Sequence, residues 1–333
     1  DATLPTVAMT TEAGTQYNAL HGYTSELDST LFYGNITPVA KDRKLTVTIN
    51  TYGEDIEGVA YKIRSLEDKS LIENTEVSDY DNAGSSINVT FNIKNLLDTG
   101  KEYALEIVLK TKKHEAVYYY TRIVYGVDYD LQKKLDFVMD FNACTFDDSR
   151  LKDISGYLET SSSGDNTNYG KVNINCSLSQ VGWGDLDPYV ESDIMPEVIS
   201  VDDDVAILRL SYRVGAANDY SSSDTYTVSE YYRIRQTNSG FYLLNFEREM
   251  NQVFDARNDL TSTAKINLGI NSSTDVNCAS DEKGIYTYFV NQGSLWCFNS
   301  SSQTFTKVFS FKGEETDSVR AVSYTHLRAH ETE

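Results

Sequence analysis

The chain has 333 residues, 40% hydrophobic and 24% charged, enough for two or three domains that each bury a core. Its formal charge of -21 argues against nucleic-acid binding, because neutralising phosphate needs a basic face, and the only dense basic run is Lys110-Thr111-Lys112-Lys113 at an expected hairpin tip. Tyr is unusually abundant at 24 residues against 2 Trp and 4 Pro, which suits strands whose rings pack while their hydroxyls reach water.

The first expected unit, residues 1–125, reads as a β-sandwich. Leu45, Val47 and Ile49 share one face, as do Val59, Tyr61 and Ile63, and then Ile87, Val89, Phe91 and Ile93. Such period-two burial means antiparallel strands with one face on a core. Turn clusters at Tyr52-Gly53-Glu54-Asp55 and Asp79–Gly84 separate the strands. Leu96-Leu97-Asp98-Thr99-Gly100-Lys101-Glu102-Tyr103 followed by Ala104-Leu105-Glu106-Ile107 resembles the tyrosine corner of fibronectin type III and related Ig-like domains. The resemblance implies that the Tyr103 hydroxyl bonds back across the corner.

Residues 126–257 are expected to form an α+β module. Leu131, Leu135, Val138 and Met139 recur at helical spacing behind Asp128 or Asp130, and Leu151, Ile154 and Leu158 predict a second helix capped by Thr145 or Asp147. Strands follow: Val172, Ile174, Cys176 and Leu178 alternate, and Glu197–Val201 and Val205–Val214 flank the Asp202-Asp203-Asp204 turn. Thr225–Thr237 and Phe241–Glu247 then make a hairpin through Asn238-Ser239-Gly240. Two helices followed by an antiparallel meander resembles the NTF2-like or cystatin-like cone, a curled sheet around a helix.

Residues 258–321 resemble the first blade of a β-propeller, with expected strands at Lys265–Ile270, Ile285–Val290, Leu295–Asn299 and Phe305–Phe311. One blade cannot cover both its faces, so it should be poorly stabilised or dock on the module. From about Val322 the sequence VSYTHLRAHETE resembles a translated sequencing adapter, so the chain is expected to be a fragment ending in a non-native tail, 322–333. His326 and His330 stand four apart, as in helical zinc sites, but Leu327 occupies the place of the metalloprotease Glu. Discounting that tail leaves His21 and His114, both expected to be exposed.

Motifs that carry chemistry are scarce. There is no Gly-rich phosphate loop, no GxSxG elbow and no SxxK. Asp202-Asp203-Asp204 lacks the alternation of a calcium loop and reads as a solvated turn. Glu247 and Glu249 invite a glycosidase reading, but their neighbours Arg248 and Asn251 suggest an ordinary surface segment. Trp183, between Gly182 and Gly184, is either a sugar-stacking platform or a plug in the curled sheet, and the burial that aromatics supply favours the plug. Tyr118-Tyr119-Tyr120 and Tyr231-Tyr232 should each put one side in the core and the other in water. In an oxidising compartment Cys278 could pair with Cys297 and Cys144 with Cys176, although scattered buried thiols are the simpler reading. Asn-x-Ser/Thr sequons begin at Asn35, Asn88, Asn175, Asn271 and Asn299.

The fold expected is therefore mainly β with an α+β module: a β-sandwich, a helix pair with a curled antiparallel sheet, and a truncated propeller-like blade. The layout resembles uncharacterised membrane-anchored extracytoplasmic proteins of Gram-positive bacteria. That resemblance implies a non-enzymatic binding or sensing role at the cell surface, with a protein, peptide or glycan partner. It implies no cofactor, no metal and no nucleic acid, and membrane attachment only through an N-terminal anchor outside this sequence. The alternatives are an accessory part of a glycan-active enzyme and a spacer in an envelope assembly.

Overall fold

The computed structural model describes residues 4–81, 84–126, 129–217, 223–254, 261–262, 265–266, 278–291 and 293–310. It is mainly β, with several sheets of which none closes into a barrel, and a small α+β part.

Nine strands come first: β1 (Thr6–Thr10), β2 (Gln16–Leu20), β3 (Ile36–Val39), β4 (Lys44–Asn50), β5 (Ile56–Ser65), β6 (Leu71–Val77), β7 (Ser86–Asn92), β8 (Glu102–Thr111) and β9 (Val117–Tyr125). They form a sheet in the order β2-β1-β4-β7 and another in the order β3-β9-β8-β5-β6, with β3 and β9 parallel. The inward residues are the ones the alternation names: Val47, Ile49, Tyr61, Ile63, Val89 and Phe91 are all fully buried. The Tyr61 and Phe91 rings, one from each sheet, stack 4.7 Å apart. Tyr103 makes the expected corner, its hydroxyl accepting from the Asp98 backbone N–H at 2.8 Å. At the β8–β9 tip, Lys110, Lys112 and Lys113 pair with Glu57, Asp55 and Glu54, so acidic neighbours neutralise the basic run.

The chain then enters α1 (Leu131–Thr145), preceded by Asp130 as its N-cap. The Asp130 side chain makes no cap bond and instead accepts from Lys133 and Gln236. The expected second helix is a 3-10 turn over Leu151–Tyr157 that starts after Arg150, so neither Thr145 nor Asp147 caps it. Next come β10 (Lys171–Asn173), α2 (Leu178–Val181), β11 (Tyr189–Val190), β12 (Met195–Val201), β13 (Val205–Ala217), β14 (Ser223–Thr237) and β15 (Gly240–Gln252). The strand expected through Cys176 and Leu178 stops at Asn173. There the Asn173 side chain bonds the Asn175 N–H, and the Ser177 side chain accepts from Gln180 N to start α2.

The module sheet runs β10-β15-β14-β13-β11, with β12 also on β13. α1 lies on its inner face, where Phe141 meets Tyr232 and Phe246 with ring centroids 5.6 and 5.4 Å apart.

The sandwich and the module share one hydrophobic core, which runs from Val7 to Met250. Their junction is built from sheet edges. β2 and β3 each end a sandwich sheet, and β12, at the edge of the module sheet, packs against both. Fully buried Asn18 sits at the meeting point with φ +50°. Its Nδ2 donates to the Ile36 carbonyl and to Thr37 Oγ1, both at 3.0 Å, and its Oδ1 accepts from Val198 N–H at 2.7 Å. One amide thus satisfies an edge N–H that would otherwise be buried without a partner.

Beyond β15, β16 (Thr261–Ser262) pairs with β17 (Lys265–Ile266) apart from the other sheets. β18 (Cys278–Ser280), β19 (Tyr286–Asn291), β20 (Ser294–Asn299) and β21 (Thr304–Ser310) form a four-stranded antiparallel meander. The first strand of this sheet is therefore Cys278–Ser280 and not the Lys265–Ile270 stretch, whose last four residues lie outside the described ones.

Candidate functional site

The hollow between α1 and the module sheet holds a charged cluster. Along β14 the inward positions are Val228, Glu230, Tyr232 and Ile234, and on β15 they include Phe246, Arg248 and Met250. Glu230 and Arg248 face each other across the β14–β15 ladder, and both are fully buried. Nη1 of Arg248 lies 3.8 Å from Oε1 of Glu230. The Glu230 carboxyl also accepts from the hydroxyls of Tyr212 (3.0 Å) and Tyr232 (2.7 Å) and from Asn142 Nδ2 of α1 (2.8 Å). Burial, and then the negative charge of Glu230, holds both tyrosine hydroxyls well above their ordinary range. Burial also pulls the Arg248 guanidinium down, while Glu230 pushes it back up.

The rest of the guanidinium is engaged by the α2 segment. Nη1 donates to the Val181 carbonyl at 2.8 Å and Nη2 to the Gln180 carbonyl at 3.0 Å. Its plane lies 3.4 Å from the centre of the Trp183 ring. The Nε–H is buried with no hydrogen-bond partner in the structure. Trp183 is itself 1% exposed, with its indole N–H 3.3 Å from Thr145 Oγ1. Its backbone adopts the left-handed conformation at φ +68°, a strained choice for a large side chain that costs about 1–2 kcal/mol. The flanking glycines fit the crowding: a Cβ on Gly182 would meet Leu151 at 2.4 Å, and one on Gly184 would meet Tyr169 at 2.2 Å.

These positions correct the reading of β15 as an ordinary surface segment. Glu247 is half-buried and Glu249 exposed on the outer face, bonded to Asn245 and Lys171 respectively, while Arg248 between them points into the core. Trp183 is the plug and not a platform. The alternation Val228-Glu230-Tyr232-Ile234 was the signal that could have placed Glu230 inside, since strand parity admits no other face.

At the Asp202-Asp203-Asp204 turn, two of the backbone carbonyl oxygens are taken by a lysine. Buried Lys134 donates from Nζ to the carbonyls of Tyr129, Asp202 and Asp203 at 2.6, 2.6 and 3.0 Å. The Asp202 side chain caps the turn by accepting from the N–H groups of Asp204 and Val205. Among the described residues there is no group of three or more His, Cys, Asp or Glu that could hold a metal ion. His326 and His330 lie outside those residues, as does the sequon Asn271. His21 and His114 are half-buried and not exposed.

Other expectations shift for reasons of packing. Tyr119 is fully buried as expected, but Tyr120 on the opposite face is only 5% exposed, because Phe32 from the β2–β3 connection stacks on it at 4.5 Å. Tyr232 is inside and Tyr231 half-buried, as alternation requires. All four cysteines are free thiols, but only Cys144 and Cys176 are buried as expected, Cys278 being exposed and Cys297 half-buried. Cys278 and Cys297 have β19 between them, which places them about 10 Å apart, too far for a disulfide.

Among the described residues, large apolar groups stand in water at several places. Leu27, Leu31 and Tyr33 of the β2–β3 connection are 41–65% exposed, with the Arg122 guanidinium 5.3 Å from the Tyr33 ring centre. On the four-stranded meander, Tyr286, Tyr288, Val290, Val308 and Phe309 are 40–53% exposed. Phe289, from the opposite face of β19, is buried and touches the Phe254 ring. Among the described residues no helix is long and apolar enough to cross a membrane.

No protein-family description matches this chain, and no curated protein matches it. Among solved structures it is similar to the sporulation control protein Spo0M from Bacillus subtilis, at 8% identity and a TM-score of 0.21, covering 66% of this chain and 86% of that one. A likeness of that degree carries no argument.

Proposed function

We propose that the protein is a non-enzymatic binding or sensing protein of the cell surface, whose recognition surface is the exposed face of the four-stranded blade. The observation that carries this reading is the row Tyr286, Tyr288 and Val290 on one side of β19, continued across β20 and β21 by Leu295 and Phe309. Contiguous exposed apolar side chains on a sheet mark interaction sites more often than chance exposure does. Tyrosine adds a hydroxyl at each ring edge, which suits peptide or glycan ligands that present both apolar and polar groups.

Layout supports the placement in an extracytoplasmic, multidomain architecture. The sheets β2-β1-β4-β7 and β3-β9-β8-β5-β6, the parallel β3–β9 pair and the Tyr103 corner favour an Ig-like reading of the sandwich. The four-stranded meander favours the blade reading of the last unit. Attachment to a membrane through an N-terminal anchor, in a Gram-positive bacterium, belongs to the same proposal.

Thermal-shift measurements on the protein with soluble cell-wall glycans and cell-wall peptides test it. At least one ligand class should raise Tm by a few degrees, and Tyr288→Ser should remove that shift. No response to any ligand would sink the reading and leave the spacer alternative standing.

A further inference from the structure

The Arg248 cluster has three features that internal stability alone does not require. A buried Arg–Glu pair is often matched or bettered by apolar residues of similar size, so its presence is weak evidence for a purely structural role. The segment that covers it contains a bulky residue in a strained left-handed backbone, the kind of distortion that concentrates at ligand clamps and switches. The guanidinium also keeps a buried Nε–H without a partner, although nearly all buried donors find one.

The groups that engage Arg248 from above all come from one short stretch: the Gln180 and Val181 carbonyls and the Trp183 ring. That stretch has little regular structure of its own, since α2 is four residues long and the following 3-10 turn three. Its arrangement has the form of a ligand. Two oxygens meet the guanidinium fork and an aromatic ring stacks on its plane.

We propose that segment 180–184 is a strap seated in a carboxylate-recognition site, and that a small aromatic carboxylate displaces it. The ligand's two oxygens would engage Nε and Nη2 of Arg248 side-on, using the donor that now lacks a partner. Charge-assisted, bidentate bonds would replace bonds to neutral carbonyls. The ligand ring would take the place of the Trp183 indole, against Phe146, whose ring centroid is 5.3 Å away. Glu230, fixed by Tyr212, Tyr232 and Asn142, is a positioning residue that holds the guanidinium plane. This site is separate from the blade surface, so it stands or falls independently of the role proposed above.

Two measurements test it. Hydrogen exchange on the whole chain should show amides 180–184 opening at least a hundredfold faster than those of β14. Equal protection would overturn the strap. Trp183→Gly relieves the strained backbone and opens an indole-sized hole. In that variant indole-3-acetate should bind at least tenfold more tightly than indole-3-acetamide by calorimetry, and adding Arg248→Gln should abolish the preference. Equal affinity for acid and amide would overturn the carboxylate site. In the Trp296→Phe protein, where Trp183 is the sole tryptophan and can be excited selectively over tyrosine, phenylacetate should shift its emission to the red saturably. No shift at concentrations that saturate the glycine variant would mean that the strap does not yield to ligand.

Discussion

The sandwich–module body and the four-stranded C-terminal meander are both made of alternating strands, yet they solve burial differently. In the first, sheet faces sheet and helix faces sheet, so a single core runs from Val7 to Met250 and the meeting edges β2, β3 and β12 cover one another. In the meander, Phe289 and Phe298 are the buried hydrophobic residues among the described ones, while Tyr286 and Tyr288 on the other face stay in water. The difference teaches that strand pattern supplies a face but not the layer that covers it. A sheet contributes to a core only when a second layer lies about 10 Å away.

Matched truncations should expose that contrast most strongly. Phe246→Ala empties a site packed by Phe141 and Tyr232, so it should cost the main unfolding transition about 3–5 kcal/mol. Phe289→Ala in the meander should leave that transition nearly unmoved. Urea denaturation of both variants decides the matter, and equal losses would show the meander to be part of the same cooperative unit.

Breaking the buried pair comes next. Glu230→Leu leaves the Arg248 charge uncompensated and should destabilise by about 3 kcal/mol or more, whereas adding Arg248→Met should recover only the part due to that charge, since Tyr212, Tyr232 and Asn142 still lack their acceptor. A double variant no better than the single would mean that the pair does more than neutralise itself.

The junction is tested by Asn18→Ala, which removes three buried hydrogen bonds and strands the Val198 N–H. A loss of about 2 kcal/mol is expected, together with separation of the sandwich and module transitions in calorimetry. A single unchanged transition would assign the coupling to apolar packing alone. Tyr103→Phe deletes only the corner bond to Asp98 and should cost about 1 kcal/mol, confined to the sandwich.

The smallest effect is electrostatic and local. Asp28 is held at about 2 by its bond from Lys69 and by the Thr30 hydroxyl and N–H. A folded pKa below the unfolded one contributes stability that is complete above the ordinary carboxylate range and lost as pH falls toward 2. Lys69→Ala should move the Asp28 midpoint upward in an NMR titration, with little change in Tm at neutral pH because the pair is exposed.

Much of the sandwich was legible because both determinants of its strands are local. Period-two alternation named Val47, Ile49, Tyr61 and Val89, and the spacing from Asp98 to Tyr103 named the corner. Legibility failed where a charged residue sits at an inward position. Arg248 was read by type as surface, although its parity with Phe246 and Met250 pointed inward. It failed again at Cys176, where the side chains of Asn173 and Ser177 offered the backbone a turn and a cap in place of a strand. Tyr120 was misjudged because a loop nearly ninety residues earlier covers it, and no local pattern carries that information.

By itself, then, the sequence determined the mainly β class, the strand faces and the turns, because side-chain alternation and turn chemistry act over a few residues. The tertiary structure alone decided that three sheet edges meet at Asn18, that Glu230 and Arg248 face each other in the hollow of the module, and that Trp183 lies across them. Those contacts join residues up to 180 positions apart. Their energies depend on what surrounds them, since a charge or an amide belongs in a core only when distant partners arrive to meet it.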